Sequence, residues 1–365
     1  MTIDEKLAKV CKGFCIKDPY LRHELIQVGN VNKTYRVVTR REDGSEKSYL
    51  IQNLNTYVFK KPVEVMDNID KVTEHIRAKS PDKIALHFHH TADRKTSIFD
   101  GDDFWRMSNF IPSVTHNVVS DLQVVRNAGH AFGEFQMQLS DFDSAALHVT
   151  IPDFHNTAKR FERLAETVAA DPVGKVAEVK EELDYLFSVR EDACRLTSLY
   201  EQGKLPLRVT HNDTKINNVL FAPDGVSALV VVDLDTVMPG LVGHDFGDAI
   251  RFAANFVEED CPDLEKVGVN MEVFRAFAEG FLEKTADTLT QEELDTLALS
   301  AFVLTVELAV RFLDDYIQGS PYFKTNYPEH NLVRTRCQIA LAKDMQKHMP
   351  CMEQIIRDCV AELKK

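Results

Sequence analysis

The sequence predicts an α+β protein with a small β-rich N-terminal lobe and a larger, mostly helical C-terminal lobe. Period-two apolar alternation is concentrated before about residue 110, and long 3.6-like periodicity dominates beyond about residue 120. Strands and helices therefore segregate along the chain, and the lobe boundary falls near Pro112, dividing 1–112 from 113–365. A chain of 365 residues is long enough for two packed lobes with a cleft between them. No internal repeat or low-complexity linker separates the two, so they are expected to pack directly on each other.

Taken in order, Ile3, Leu7, Val10 and Phe14 recur at helical intervals among charges. The N-terminus thus reads as an amphipathic helix, not as the continuous apolar run of a signal peptide. LIQVGNVNKTYRVVTRREDGSEKSYLIQNL alternates β-branched and polar residues on either side of Asp43-Gly44, which predicts a β-hairpin. Val65, Ile69, Val72 and Ile76 predict a helix over 62–78, followed by short strands at 83–88, 96–99 and 104–110. Helical patterns then occupy 121–140, 156–170 and 173–202, a β-rich island spans 207–235, and 245–362 reads as nearly all helical. The apolar stretches around 228–234 and 297–310 are too short or too interrupted for a bilayer of about 30 Å, so no membrane span is expected.

With 43 Lys+Arg against 57 Asp+Glu the net charge is −14, and the chain lacks the basic excess that neutralises a phosphate backbone. Nucleic acid is therefore not expected as a general partner. A composition 44% hydrophobic and 27% charged supports a buried core and excludes a disordered chain. Seven scattered cysteines without a CxxC pair read as reduced thiols in a cytoplasmic protein.

The densest chemical signal is 208–236, RVTHNDTKINNVLFAPDGVSALVVVDLDT, which places His211, Asp213, Lys215, Asn218, Asp233 and Asp235 around a short hairpin. Phosphoryl transfer needs a carboxylate to orient a hydroxyl and accept its proton, and oxygen ligands to hold Mg²⁺ against nucleotide phosphates. His-x-Asp-x-Lys-x-x-Asn followed by an apolar strand ending in Asp233 supplies that set. The Asp213-to-Asn218 interval equals that of the HRDxxxxN catalytic loop of protein kinases.

HNDTKINN, VVDLDTVMPG, HDFGDAIRF and ELAVRFLDDYIQGSPYFKTNYPEHNLVRTR together resemble the N-acetylhexosamine 1-kinases of the aminoglycoside-phosphotransferase (choline-kinase-like) superfamily. The likeness runs from GNVNKTY to NLVRTR; the loop motif is shared across the superfamily, whereas 307–336 points to its sugar kinases. The resemblance implies a protein-kinase-like bilobal fold, with a nucleotide-binding lobe over 1–112 and a catalytic and acceptor-binding lobe over 113–365. It implies ATP and Mg²⁺ as cofactors and a small-molecule sugar as partner. Asp213 would be the base facing the anomeric hydroxyl, Lys215 would lie near the transferred phosphate, and Asn218 and Asp233 would hold Mg²⁺. Asp245-Phe246-Gly247 spells DFG, but it lies farther from Asn218 than Asp233 does. Asp245, Asp248 and His211 are accordingly expected to support the loop, and Asp235 either supports the metal ligands or only shapes the turn.

On the nucleotide side, Gly29 would let the phosphates approach while Asn32, Lys33 and Thr34 offer donors. Asn30 stands where the sugar kinases have His, which bears on substrate preference. On the strand SYLIQNLN, Gln52 and Asn53 replace the phosphate-binding Lys of protein kinases, and Asp70 or Glu74 either orients this strand or lines a solvated helix face. Met107, Asn109, Phe110 and Ile111 are the expected adenine hinge, with Trp105 in the core. Arg311, in an otherwise apolar helix, needs a partner, which is either the sugar or Glu307 one turn away. Tyr322 joins it as an expected sugar contact. Arg334 and Arg336 are expected to pair with the acidic 314–315 patch, and His87, His89 and His90 to lie on the surface. The implied activity is ATP- and Mg²⁺-dependent phosphorylation of the C1 hydroxyl of GlcNAc or GalNAc in amino-sugar salvage. The alternatives are a choline-, aminoglycoside- or homoserine-type kinase and a nucleotide-binding pseudokinase.

Overall fold

Thr2 starts the first helix through a capping box with Glu5: its hydroxyl accepts the Glu5 N–H at 3.3 Å, and its own N–H donates to the Glu5 carboxylate at 2.8 Å. The computed structural model describes residues 1–26, 32–117 and 121–364. This helix, α1 (Ile3–Gly13), lies against a five-stranded antiparallel sheet of β1 (Tyr20–Ile26), β2 (Lys33–Arg40), β3 (Glu46–Asn53), β4 (Ile98–Asp100) and β5 (Asp103–Asn109), ordered β1-β2-β3-β5-β4. The hairpin expected around Asp43-Gly44 is β2–β3.

Side chains alternate along a strand, so Tyr35, Val37, Tyr49, Ile51, Trp105 and Met107 share one face and close on Leu7, Val10 and Phe14 of α1. Thr34, Gln52 and Arg106 share the other face as direct neighbours in register. The strand expected at 83–88 does not form. The segment makes a single antiparallel bridge, Phe88 to Ser108, because in that register the residues before 87 run past Asn109, where β5 ends.

Helix α2 (Pro62–Lys79) is stitched to the helical region by fully buried Asn68. Its amide donates to the carbonyls of His148 (2.8 Å) and Val237 (2.9 Å) and accepts the His148 N–H at 2.8 Å. That region contains α3 (Leu122–Gln138), α4 (Thr157–Ala170), α5 (Lys180–Ser188), α6 (Arg190–Ala193), α7 (Arg195–Glu201), α8 (Val242–Ala253), α9 (Met271–Thr285), α10 (Gln291–Ile317) and α11 (His330–Leu363). Two hairpin-like pairs interrupt it: β6 (Arg208–Thr210) with β9 (Met238–Gly240), and β7 (Val219–Phe221) with β8 (Ala228–Val231).

The helix expected over 173–202 is three short ones, bent at Val189 and Cys194. Leu183, Leu186, Val189, Ala193, Leu196 and Leu199 recur mostly every third residue, tighter than the 3.6 of a straight helix, and the bends keep them all in one core with α10. Likewise 254–270, apart from a single 3-10 turn at Leu264–Lys266, and 318–329 are irregular, not α-helical, around Pro262, Gly268 and Pro321. Helix α10 is long and apolar enough to cross a membrane by length and composition, farther than the sequence reading allowed, yet most of it is buried inside the helical region. All seven cysteines are free thiols.

Helices α3 and α9 meet backbone to backbone, and a Cβ at Gly280 would collide with the main chain of Arg126 and His130. We expect Gly280→Ala to lower stability by about 1–3 kcal/mol through overpacking. The alanine would otherwise gain about 1 kcal/mol in helix propensity, so a urea midpoint moving down, not up, identifies the contact.

Candidate active site

Strand β6 leads into a loop whose main-chain donors point into the protein, where each needs an acceptor. Helix α8 supplies them. Asp245 accepts the N–H groups of His211 (2.9 Å) and Asn212 (2.7 Å) and the amide of Gln136 (2.6 Å). Asp248, one turn on, accepts the Thr214 N–H at 3.0 Å while its other oxygen takes Arg251 at 2.8 Å. The DFG sequence therefore lies in a helix behind the loop. Burial pushes the Asp245 carboxyl up despite these donors. Burial opposes the charge of Asp248, but Arg251 and Lys215 prevail and hold it below the usual range.

Held this way, the loop presents Asp213 between two partners. One carboxylate oxygen lies 2.9 Å from Lys215 Nζ, and the other accepts the Asn218 amide at 3.2 Å. The same amide donates to the Asp213 carbonyl at 2.8 Å, leaving the Asn218 side-chain oxygen without a partner among the described residues. Burial disfavours the Lys215 charge, yet Asp213 and Asp248 hold its pKa above the ordinary value.

Strand β8 delivers Asp233, in left-handed geometry at φ 61°, to the start of a 3-10 turn at Leu234–Thr236. Desolvation and the neighbouring carboxylates of Asp235 and Asp213 push the Asp233 carboxyl up to about 6. A crowd of carboxylates with a free amide oxygen beside it is a hard, all-oxygen donor set that a divalent cation would relieve. Among the described residues no three His, Cys, Asp or Glu side chains form a cage on their own. That suits Mg²⁺, which usually takes only one or two carboxylates and completes its shell with substrate phosphates and water.

The sheet side differs from expectation. Arg106, buried in β5, forms an ion pair with buried Asp235 and donates through Nε to the Gln52 oxygen at 2.9 Å. The Gln52 nitrogen donates to Thr34 Oγ1 at 3.1 Å, and Asn32 donates to Asp235 at 2.8 Å while accepting the Asn55 N–H at 3.0 Å. Gln52 and Asn32 are thus spent on a chain that ties the sheet to the turn after Asp233, with Thr34 accepting at its end, in place of free phosphate donors. Asn53 is likewise engaged, with Asp103 at 2.6 Å and the Phe104 N–H at 3.1 Å. Asp235 is an ion-pair partner, not merely a turn former. Sequence reasoning missed Arg106, although an arginine inside the apolar strand FWRM is the same signal that singled out Arg311. Gly29 and Asn30 lie outside the described residues.

Met107 is fully buried against α1, so its side chain is not available to stack on a base. Asn109 bonds His89 at 3.0 Å, Phe110 lies under the Arg36 guanidinium at 4.6 Å, and the Ile111 carbonyl accepts from Ser113 at 2.9 Å. Trp105 is in the core. The three histidines are half-buried, not superficial: His87 bonds Arg77 (2.7 Å), His89 bonds Asn109, and His90 pairs with Asp70 (3.1 Å).

Glu307 does not pair with Arg311. Its oxygens are taken by His155 (2.8 Å) and Thr157 (2.7 Å), and Arg311 instead lies between the rings of Phe154 and Phe323 with no ion pair among the described residues. Tyr322 is 71% exposed, its N–H bound to Asp315. Arg334 and Arg336 do not reach the acidic patch. Asp314 is taken by Thr167 and Arg163, Asp315 by the Tyr322 and Phe323 N–H groups and Asn331, whereas Arg336 pairs with Glu182 and Arg334 with Lys324 O and Asn331. Those carboxylates had nearer partners that only the fold reveals.

The profile of the phosphotransferase enzyme family (APH) matches residues 24–277, more than half of the chain. Among solved structures, a microcompartment-associated aminopropanol kinase superposes with TM-score 0.66 at 16% identity, over 96% of this chain and 98% of that one. An aminoglycoside phosphotransferase from Alicyclobacillus acidocaldarius gives TM-score 0.62 at 10% identity over 93% of each chain. A spectinomycin phosphotransferase, solved with ADP and spectinomycin, gives 0.55 at 13% over 95% and 98%. At such identities the likeness to these structures is one of fold.

Because the Arg106–Asp235 pair is buried, removing one partner leaves an uncompensated charge. Asp235→Leu is expected to cost about 3–5 kcal/mol, and adding Arg106→Met to recover much of it; a double-mutant cycle in urea reads both.

Proposed function

The chain belongs to the phosphotransferase enzyme family, and from that premise we propose that it is a kinase that transfers the γ-phosphoryl group of ATP to the anomeric hydroxyl of an N-acetylhexosamine such as GlcNAc or GalNAc. On this reading residues 1–112 serve the nucleotide and 113–365 carry the catalytic loop and the acceptor. The observation that carries it is the set Asp213, Lys215, Asn218 and Asp233, gathered by two hairpin ends onto one spot.

The chemistry follows from the donors. Among the described residues each Asp213 oxygen has one partner, and it keeps lone-pair capacity for a substrate hydroxyl, which it orients and whose proton it accepts. Lys215, 2.9 Å from one Asp213 oxygen, presents a positive charge beside the moving phosphoryl group. Asn218 and Asp233 would hold Mg²⁺, whose part is to neutralise phosphate charge. Positioning and charge stabilisation are the main tasks left to the protein in such a transfer.

The acceptor class rests on the helical region's far wall and on the sequence resemblance. Arg311 has no ion pair among the described residues and is flanked by Phe154 and Phe323, with Tyr322 beside them, while Glu307, Asp314 and Asp315 are all engaged. A wall offering a guanidinium and rings suits a neutral sugar with an acetamido carbonyl. Its carboxylates Glu307, Asp314 and Asp315 already have partners, whereas an aminoglycoside would need free ones. The second reading, a kinase of a small amino alcohol, is favoured by the fold likeness to an aminopropanol kinase.

The deciding experiment is ADP release from ATP and Mg²⁺ over GlcNAc, GalNAc, glucose, galactose, choline, homoserine and kanamycin. Turnover of an N-acetylated sugar, with sugar 1-phosphate as product, is expected. Turnover restricted to choline, homoserine or kanamycin would replace the acceptor, and nucleotide binding without turnover would favour a pseudokinase. Asp213→Asn should reduce kcat by about 10²-fold or more. Arg311→Ala should raise the acceptor KM about tenfold to a hundredfold, the worth of a hydrogen bond from a charged group, with the ATP KM unchanged.

A further inference from the structure

The peptide unit joining Asn212 to Asp213 is gripped at both ends by histidine side chains. At one end the Asp213 N–H donates to His211 Nδ1 at 3.2 Å, while His211 Nε2 faces the Val232 carbonyl at 2.8 Å. A ring that accepts at Nδ1 and donates at Nε2 is the neutral tautomer. At the other end the Asn212 carbonyl lies 3.2 Å from His155 Nε2, and His155 Nδ1 lies 2.8 Å from a Glu307 oxygen. A carbonyl and a carboxylate only accept, so both nitrogens of His155 must donate, and this ring is an imidazolium.

The surroundings are built for that charge. Glu307 is 1% exposed, and its second oxygen is fixed by the Thr157 hydroxyl. His155 is tilted against the His244 ring at 4.9 Å and edge-on to Phe154 at 4.6 Å. The charged and titratable groups facing it are Glu307 and Arg311 from α10, and Asp248 and His244 from α8. Burial disfavours the imidazolium and Arg311 opposes it, but Glu307 prevails and holds the His155 pKa above the ordinary 6.5. Burial, with His155 beside it, drives His244 down to about 3, so His244 stays neutral and the positive charge belongs to His155. The pair joins α10 to the segment just before α4, 152 residues apart in sequence.

We propose that His155 and Glu307 form a positioning device for phosphoryl transfer, a buried imidazolium–carboxylate pair that holds the Asn212 carbonyl and thereby sets the aim of Asp213. This deepens the kinase reading and rests on Asp213 being the base. The roles of the two histidines are complementary: a neutral ring accepts the N–H of the peptide unit and a charged ring donates to its carbonyl. As pH rises through the folded pKa of His155, one proton leaves to solvent. The proton facing the carbonyl is the one released, since the other is held by a carboxylate. A nitrogen lone pair then faces the carbonyl lone pairs, and the peptide unit loses that anchor.

Two measurements test this. In the first, ¹⁵N resonances of His155 in the ligand-free protein, assigned by their loss in His155→Gln, are followed from pH 6 to 9. Both nitrogens protonated at pH 7 is expected; a ring neutral at pH 6.5 overturns the proposal whatever the acceptor proves to be. In the second, kcat is profiled against pH with the acceptor that is turned over, or with water as acceptor if none is, which separates failure of this device from failure of the sugar assignment. Wild type should lose rate on an alkaline limb matching the ¹⁵N titration, and Glu307→Gln should move that limb to lower pH. His155→Gln should lower kcat about tenfold to a hundredfold and abolish the limb, with the ATP KM within about twofold. A His155→Gln enzyme with wild-type kcat, or a Glu307→Gln limb that does not move, overturns it. Should His155→Gln not fold, the Glu307→Gln profile decides on its own, an alkaline limb that does not move overturning the proposal.

Discussion

The N–H groups of His211 and Asn212 end on one buried carboxylate, that of Asp245, and the geometry of the site depends on it. Asn212 makes this possible by adopting left-handed backbone at φ 64°, which lets successive N–H groups converge on one anion. Asparagine tolerates that conformation better than most side chains, and its own amide is bonded to the carbonyls of Thr210 and Thr236. Asp245 in turn sits where it does because α8 lies against the backbone of α10. A side chain at Gly247 would strike the Ser300 carbonyl group. A helix contact behind the loop thus sets the height of the carboxylate, the carboxylate sets the loop, and the loop places Asp213.

The second dependency runs from the sheet. Arg106 and Asp235 are both nearly inaccessible, and Gln52, Thr34 and Asn32 fill the remaining hydrogen bonds around them. A charged pair so placed is weak as a stabiliser because desolvation offsets most of its attraction. Its value lies in geometry, since it is satisfied only when the sheet and the turn bearing Asp233 hold one relative position. Protein kinases keep a lysine on the third strand for phosphates. Here the cation sits one strand over and is already neutralised.

Much of this was legible in the sequence. The β2–β3 hairpin, α1 through α4 and the loop from His211 to Asn218 lie where local periodicity and spacing put them, because each is decided by residues within a turn or two of one another. What escaped was decided at long range. The partners of Glu307, Asp315 and Arg106 come from segments that nothing in the local pattern links to them, so the nearest opposite charge in sequence, Arg311 for Glu307, was the wrong candidate. The 83–88 strand failed for the same reason: its β-propensity was real, but with Phe88 opposite Ser108 the rest of it runs past the end of β5.

Helix α10 carries a final consequence, one for biosynthesis. Its 27 residues are apolar nearly all round, and α11, which covers one side, follows it in the chain. While the polypeptide is emerging from the ribosome, α10 is therefore complete before the helix that covers that side exists. During that interval a nascent segment with the composition of a membrane helix is exposed to water, and its fate turns on how fast the next 46 residues, Gln318 to Leu363, appear and dock. Losing α11 would make that transient exposure permanent, so a truncated chain would be expected to fail by aggregation or engagement of chaperones before any question of catalysis arose.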